Sequence, residues 1–298
     1  MVTGPTAVGK TELCLEIAET LGIPIINADS RQMYNGMSIG TAAPTAEQTA
    51  RVKHYFVGNL RLDDYYNAAM YEQDAIRLLE QLFSQQQERQ GQRFALMSGG
   101  SMMYIDAVCN GIDDIPTITP ETRSLVKERL AKEGLEALCE ELKRLDPEYY
   151  SIVDKKNTRR VVHGLEICLQ TGKPYSSFRK NSKKARNFNT KKIVLNLPRE
   201  ELYARINARV DTMMDSGLLE EARSLYPQRG LNALNTVGYK ELFEHFDGKY
   251  PLDEAVSRIK GNTRRYARKQ LTWFKRDASA RWFSPNEKDS IMNFISEL

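Results

Sequence analysis

The chain contains no hydrophobic run near the ~18 residues that a membrane span requires, so nothing in it reads as a transmembrane segment. Its four cysteines, Cys14, Cys109, Cys139 and Cys168, are scattered, with no C-x-x-C pair. That spacing argues against a structural zinc site and a disulfide framework, and for a reducing compartment. Three histidines, His54, His163 and His245, are too few and too dispersed for a metal centre. No internal repeat is evident. The first motif begins at Gly4 with no leader-like segment before it, which predicts a cytoplasmic protein. With only Met1, Val2 and Thr3 ahead of it, the first strand is expected to be unusually short. What remains is a chain of 298 residues, 41% hydrophobic, enough for one large domain or a core with a smaller companion.

Residues Gly4 to Thr11 read G-P-T-A-V-G-K-T, a complete G-x-x-x-x-G-K-T phosphate loop. Its glycines let backbone N–H groups turn inward onto phosphate oxygens. Lys10 adds a point charge, and the Thr11 hydroxyl is a ligand for magnesium. The helix expected from Lys10 to Leu21 aims the positive end of its dipole at the same anion. Proteins that hydrolyse or transfer the γ-phosphoryl group also need an Asp at the end of a nearby buried strand. The strand-like run Arg93 to Ser98 leads instead into Gly99-Gly100-Ser101. The acid comes earlier, at Asp29, just past the apolar run Ile23 to Ile26. There it lies either in the ligand crevice of an open α/β sheet or in a turn with Ser30, and the residues alone leave both open.

Charge is unevenly placed. Lys155 to Lys192 holds twelve Lys or Arg against one acid, Glu166, in a chain whose net charge is only +4. Arg258 to Arg276 holds eight basic residues and no acid. Aromatics interleave with both runs: Tyr175, Phe178, Phe188, Tyr266, Trp273 and Phe274. This pattern favours an RNA partner over a merely solvated charged face.

Strand-like runs at 23–27, 54–58, 93–98 and 191–197 alternate with helical patterns at 10–21, 68–89 and 101–109. That alternation predicts an α/β fold, a parallel sheet flanked by helices of the phosphate-loop NTPase type. Between Gly111 and Thr190 the strand signal vanishes. Pro120 after Thr119 and Pro147 after Asp146 mark helix starts there, and two to four helices are expected. The predicted organisation is a core of residues 1–111 and 190–298 with an all-helical, basic insertion at 112–189. Long basic helices are expected at 198–215 and 252–275, and the Gln-rich stretch 85–92 reads as a helix end.

The loop is followed by D-S-R-Q-M-Y (Asp29 to Tyr34), G-M-S-I-G-T-A-A-P-T (Gly36 to Thr45) and G-G-S-M-M-Y (Gly99 to Tyr104). N-T-R-R-V-V-H-G-L-E (Asn157 to Glu166), R-I-N-A-R-V (Arg205 to Val210), V-G-Y-K-E (Val237 to Glu241) and T-R-R-Y-A-R-K-Q-L-T-W-F (Thr263 to Phe274) follow in order. This colinear series resembles the tRNA dimethylallyltransferases, also called isopentenyltransferases. The resemblance implies that residues Gly4, Pro5, Thr6, Ala7, Val8, Gly9, Lys10 and Thr11 hold the pyrophosphate of dimethylallyl diphosphate rather than ATP. It implies transfer of the prenyl group to N6 of adenosine 37 in tRNA, with magnesium on Thr11. Asp29 would be the base that accepts the N6 proton, and Arg209 would join Lys10 on the leaving oxygen. Ser101 stands where the family has Thr and would bridge Asp29, the target amine and the leaving oxygen.

The segment Asp29, Ser30, Arg31 and Gln32, with Ser101, would read the target base. Arg123, Arg159, Arg160 and His163 would contact the anticodon stem-loop. His163 replaces the family's Arg, Thr158 its Pro, and Arg268-Lys269 inverts its Lys-Arg; neutral imidazole cannot form the Arg fork. No obligate protein partner is implied, and the chain is expected to be a monomer. The alternatives are an adenylate isopentenyltransferase acting on AMP, ADP or ATP, and a phosphate-loop kinase or NTP-fuelled RNA-binding module. The long basic insertion disfavours the first, and the missing Asp after Ser98 disfavours the second.

Overall fold

The computed structural model describes residues 1–86, 93–180 and 183–297. It divides into two compact units, one of residues 1–109 and 186–298, the other of residues 110–185.

The first unit is built on a six-stranded sheet. Its strands are β1 (Val2–Thr3), β2 (Ile25–Asn27), β3 (His54–Tyr55), β4 (Leu96–Gly99), β5 (Ile193–Leu195) and β6 (Arg281–Phe283). Their order is β3-β2-β4-β1-β5-β6, and every pairing is parallel. β1 is as short as expected, yet it lies at the centre of the sheet. Val2 pairs with Ser98 on one side and Ile193 on the other. The run read at 54–58 stops at Tyr55, because Phe56 takes a left-handed φ of 62°. β6 is a strand that the sequence does not announce. Three residues, none of them buried, carry no readable alternation.

Both faces of the sheet are covered, as parallel sheets require. Successive strand residues point to opposite faces. Ile25, Leu96 and Ile193 join one cluster, with Leu13, Leu15 and Ile17 of the helix Lys10–Leu21. Ile26, Met97 and Val194 join the other, with Tyr71, Leu79 and Leu82 of the helix Ala68–Gln85 and Ile105 of the helix Met102–Asn110. Each such aliphatic side chain contributes about 1.5–3 kcal/mol on burial. Beyond Gln86 the Gln-rich stretch lies outside the described residues. A third cluster joins Met37, Val210, Leu218, Tyr239 and Leu242, and the helices Arg199–Asp215 and Tyr239–Phe246 pack through it.

The second unit has its own core of Val126, Leu138, Leu142, Val161, Leu165 and Ile167. It comprises the helices Pro120–Leu145, Pro147–Ile152 and Thr158–Thr171 and a 3₁₀ turn at Tyr175–Phe178. The first is broken at Gly134, whose φ of 81° no helix accommodates. Thr119 caps its start by accepting from the Thr122 N–H. Asp146 is fully buried and accepts from the N–H groups of Tyr149 and Ser176 at 2.9 and 2.7 Å. It thereby caps one helix and anchors the 3₁₀ turn, which satisfies a charge that burial would otherwise penalise.

Candidate active site

The phosphate loop leaves β1 at the C-terminal edge of the sheet, where ligands of open α/β folds bind. Gly4 passes against β5: a Cβ there would lie 2.6 Å from the Leu195 carbonyl oxygen. Ala7 and Gly9 take φ of 64° and 104°, which closes the turn and starts the helix at Lys10. A cavity of about 640 Å³ opens above it, lined by Thr6 to Thr11, Asp29, Gln32, Arg205, Arg209, Tyr266 and Gln270 among others. Gly4 and Pro5 are not on its wall. Their carbonyls accept from the Lys10 ammonium at 3.0 and 2.8 Å, so they orient the lysine.

Burial pulls the Lys10 pKa down to about 8, with Arg209 adding to the fall and Asp29 opposing it. Burial likewise lowers Arg209, again opposed by Asp29. These side chains come from the loop, the segment after β2 and the helix Arg199–Asp215, and they feel one another's charge in one cavity. An anion there would relieve the crowding of two buried cations. Both readings of Asp29 hold at once. It lines the cavity, and its Oδ1 accepts from the Arg31 N–H at 2.9 Å in a tight turn. Thr11 and Asp29 bring a hydroxyl and a carboxylate to this cavity, whose lining also includes Glu12. No cluster of three His, Cys, Asp or Glu exists among the described residues. A few hard oxygens beside a phosphate site fit magnesium, which keeps waters and takes phosphate oxygens as ligands.

Ser101 departs from expectation. Its hydroxyl does not reach Asp29; it accepts from the Ser30 N–H at 2.8 Å and donates to the Ser30 hydroxyl at 3.1 Å. The cause is the path of the backbone. β4 runs so close to β2 that a Cβ on Gly99 would sit 2.3 Å from Ala28, and the Ser101 N–H donates to the Ala28 carbonyl. Ser101 thus fixes the segment that carries Asp29.

Arg31 donates to the Asn232 carbonyl at 2.9 Å, and the Gln32 amide to the carbonyls of Thr41 and Ala42. Gly36 to Thr45 is held in turn by Glu221. Its carboxylate accepts from the N–H groups of Ser38, Ile39 and Gly40 and from the Tyr239 hydroxyl. Tyr239 belongs to V-G-Y-K-E, so two strings without assigned chemistry form one brace.

Gln270 is a site residue that sequence reasoning misses. It is 1% exposed; its Oε1 accepts from the Thr6 N–H and its Nε2 donates to the Gly100 carbonyl, both at 2.9 Å. It ties the phosphate loop to the end of β4. Tyr266, one turn earlier, donates to the Gly100 carbonyl at 3.4 Å and also faces the cavity. The signal is an uncharged pair inside a basic helix, which a count of cations passes over. The aromatics expected to alternate with cations on a surface are largely inward: Tyr175 and Phe274 are buried, and Trp273 donates to Asp106.

Arg123, Arg159, Arg160 and His163 all belong to the second unit. The three arginines are exposed. His163 packs edge-on against Tyr175, with its Nδ1 3.8 Å from the Glu166 carboxylate.

The parallel sheet and its loop place this chain in the phosphate-loop α/β class. Residues 32–277 match the model of the IPP transferase family, and the chain belongs to that family. It is 57% identical over 295 residues to tRNA dimethylallyltransferase 1 of Bacteroides fragilis, covering 99% of this chain and 96% of that protein. The crystal structure of the full-length tRNA isopentenylpyrophosphate transferase of Bacillus halodurans superposes with a TM-score of 0.70 at 33% identity, covering 99% and 94% of the two chains. A eukaryotic dimethylallyltransferase solved acting on tRNA shares the fold, with a TM-score of 0.75 at 24% identity over 91% of this chain and 68% of that one. No helix among the described residues is long and apolar enough to cross a membrane.

Proposed function

We propose that this protein transfers a dimethylallyl group from dimethylallyl diphosphate to N6 of adenosine 37 in the anticodon loop of tRNA. The observation that carries this reading is the meeting of Asp29, Lys10 and Arg209 at one phosphate-loop cavity. A carboxylate there serves an amine better than it serves γ-phosphoryl transfer, since no Asp stands at the end of β4, which runs into Gly99-Gly100-Ser101.

The N6 nitrogen of adenine is a poor nucleophile, because its lone pair is delocalised into the ring. Asp29 accepts its proton as the new N–C bond forms, which is general base catalysis. The allylic C–O bond breaks in the same step, and its electron pair leaves with pyrophosphate. Lys10, Arg209 and the loop N–H groups meet the charge that develops on the leaving oxygen. Thr11 would hold magnesium, which when bound would neutralise more of the diphosphate's charge. Ser101 positions the Asp29 segment, and Arg31 and Gln32 shape the wall that receives the base. The adenine must be extruded from its stack to reach this cavity. Exposed Arg123, Arg159 and Arg160, with His163, supply contacts to the RNA backbone. The protein acts as a monomer in the cytoplasm.

Transfer of labelled dimethylallyl diphosphate to unmodified tRNA, with AMP, ADP and ATP as parallel acceptors, tests the reading. Label in tRNA alone is expected. Label in free nucleotides alone would assign an adenylate isopentenyltransferase instead, and ATP hydrolysis without label would sink both.

A further inference from the structure

We propose that Arg205 is a second arginine for the diphosphate of the donor, in competition with its helix neighbour Glu201. The inference rests on the reading of the loop given above. Arg205, Ala208 and Arg209 all line the cavity, as residues three and four apart on one helix face must. Ala208, between them in sequence, is small and lines the same cavity. The Arg205 Nη1 lies 3.7 Å from the point where a Cβ on Gly9 would stand. Gly9 caps the helix whose free N–H groups face the anion, so Arg205 borders the binding end of the loop.

On its other side, Arg205 Nη2 pairs with Glu201 Oε1 at 2.8 Å, and both side chains are about 40% exposed. An exposed pair of this kind is worth roughly 0–1 kcal/mol. A guanidinium fork on a phosphoryl group is a charge-assisted contact and stronger. A diphosphate ester carries more negative charge than Lys10 and Arg209 alone neutralise, and Glu12, also in the cavity lining, adds to the repulsion. Glu12 is itself restrained by Arg51 at 3.2 Å. Among the described residues that line the cavity, Arg205 is the remaining Lys or Arg, and its carboxylate partner Glu201 is partly exposed.

Calorimetric titration of the full chain with inorganic pyrophosphate tests this, with donor and tRNA KM values measured beside it. Arg205→Ala should weaken pyrophosphate binding by roughly tenfold and raise the donor KM in parallel, with the tRNA KM unchanged. Arg205→Lys should fall between, since an ammonium lacks the fork. Glu201→Gln frees Arg205 and should tighten binding by roughly twofold, a gain that a misfolded variant cannot imitate. Wild-type affinity in Arg205→Ala, together with loss of binding in Lys10→Ala, would overturn the inference and leave the loop's role standing. Unchanged binding in both variants would overturn the inference and the loop's role together.

Discussion

Two segments of this chain look alike as strings and behave differently as structure. Both 155–192 and 258–276 are dense in Lys and Arg. In the second, many of the polar groups are used within the core unit. Lys260 pairs with Asp211, Arg264 donates to Asn207, Arg268 to the Tyr203 hydroxyl, and Gln270 closes the phosphate loop. The first is split. Arg186, Lys191 and Lys192 belong to the core unit, where Arg186 makes a buried pair with Glu72 at 2.6 Å and Lys192 pairs with Asp277. Its earlier part, with exposed Lys155, Lys156, Arg159 and Arg160, belongs to the helical unit. Charge density along a sequence therefore overstates the charge offered to a polyanion. The difference lies in which cations already have a partner.

On the proposed reading, chemistry and donor binding fall to the core unit and the RNA-backbone contacts of Arg123, Arg159, Arg160 and His163 to the helical one, and four experiments would break or sharpen that division. The largest effect is expected at Asp29. Asp29→Asn should lower single-turnover transfer by about 10²–10⁴-fold while leaving tRNA affinity near normal; near-normal turnover would remove it as the base. Next comes Gln270→Leu, which strands the Thr6 N–H and leaves the Gly100 carbonyl only the long bond from Tyr266. Each buried unpaired group costs about 1–3 kcal/mol. The variant should melt several degrees lower and show a donor KM raised at least tenfold, with tRNA binding intact. If tRNA binding falls in step, the basic helix acts as an RNA surface after all.

Arg159→Ala with Arg160→Ala should weaken tRNA binding by about tenfold. The slope of log affinity against log salt should become shallower by roughly one for each phosphate no longer neutralised. Pyrophosphate affinity should not move, and a change in it would erase the division of labour. The smallest effect concerns pH. Lys10 is depressed to about 8 in the free protein, and a bound diphosphate raises it again. Binding then takes up a proton above that value. Once the ligand's own titration is divided out, pyrophosphate affinity should stay flat below pH 8 and weaken by up to roughly tenfold per pH unit above it. A flat profile through pH 9 would show that the lysine is not a ligand.

Much of the fold is legible because its signals are local. The helix Lys10–Leu21 begins and ends where a glycine permits a left-handed turn, and Pro120 and Pro147 sit one residue inside capped helices. β6 is invisible in the sequence because a short, partly exposed strand has no period to read. The site divides along the same line. Asp29, Lys10 and Arg209 are visible as residue types in distinctive strings. The true neighbour of Ser101, and the roles of Gln270 and Arg205, are not, because each acts through a contact whose partner is distant along the chain.

The sequence by itself determined that a phosphate loop opens the fold, that a parallel sheet with helices on both faces carries it, and that the middle of the chain folds as helices. Those follow from backbone conformations and apolar periods that a few neighbouring residues impose. Only the tertiary structure decided which cations meet at the cavity, which are already paired, and that Gln270 ties Thr6 to Gly100. Those depend on segments far apart along the chain, brought together when both faces of a short-stranded sheet are buried at once.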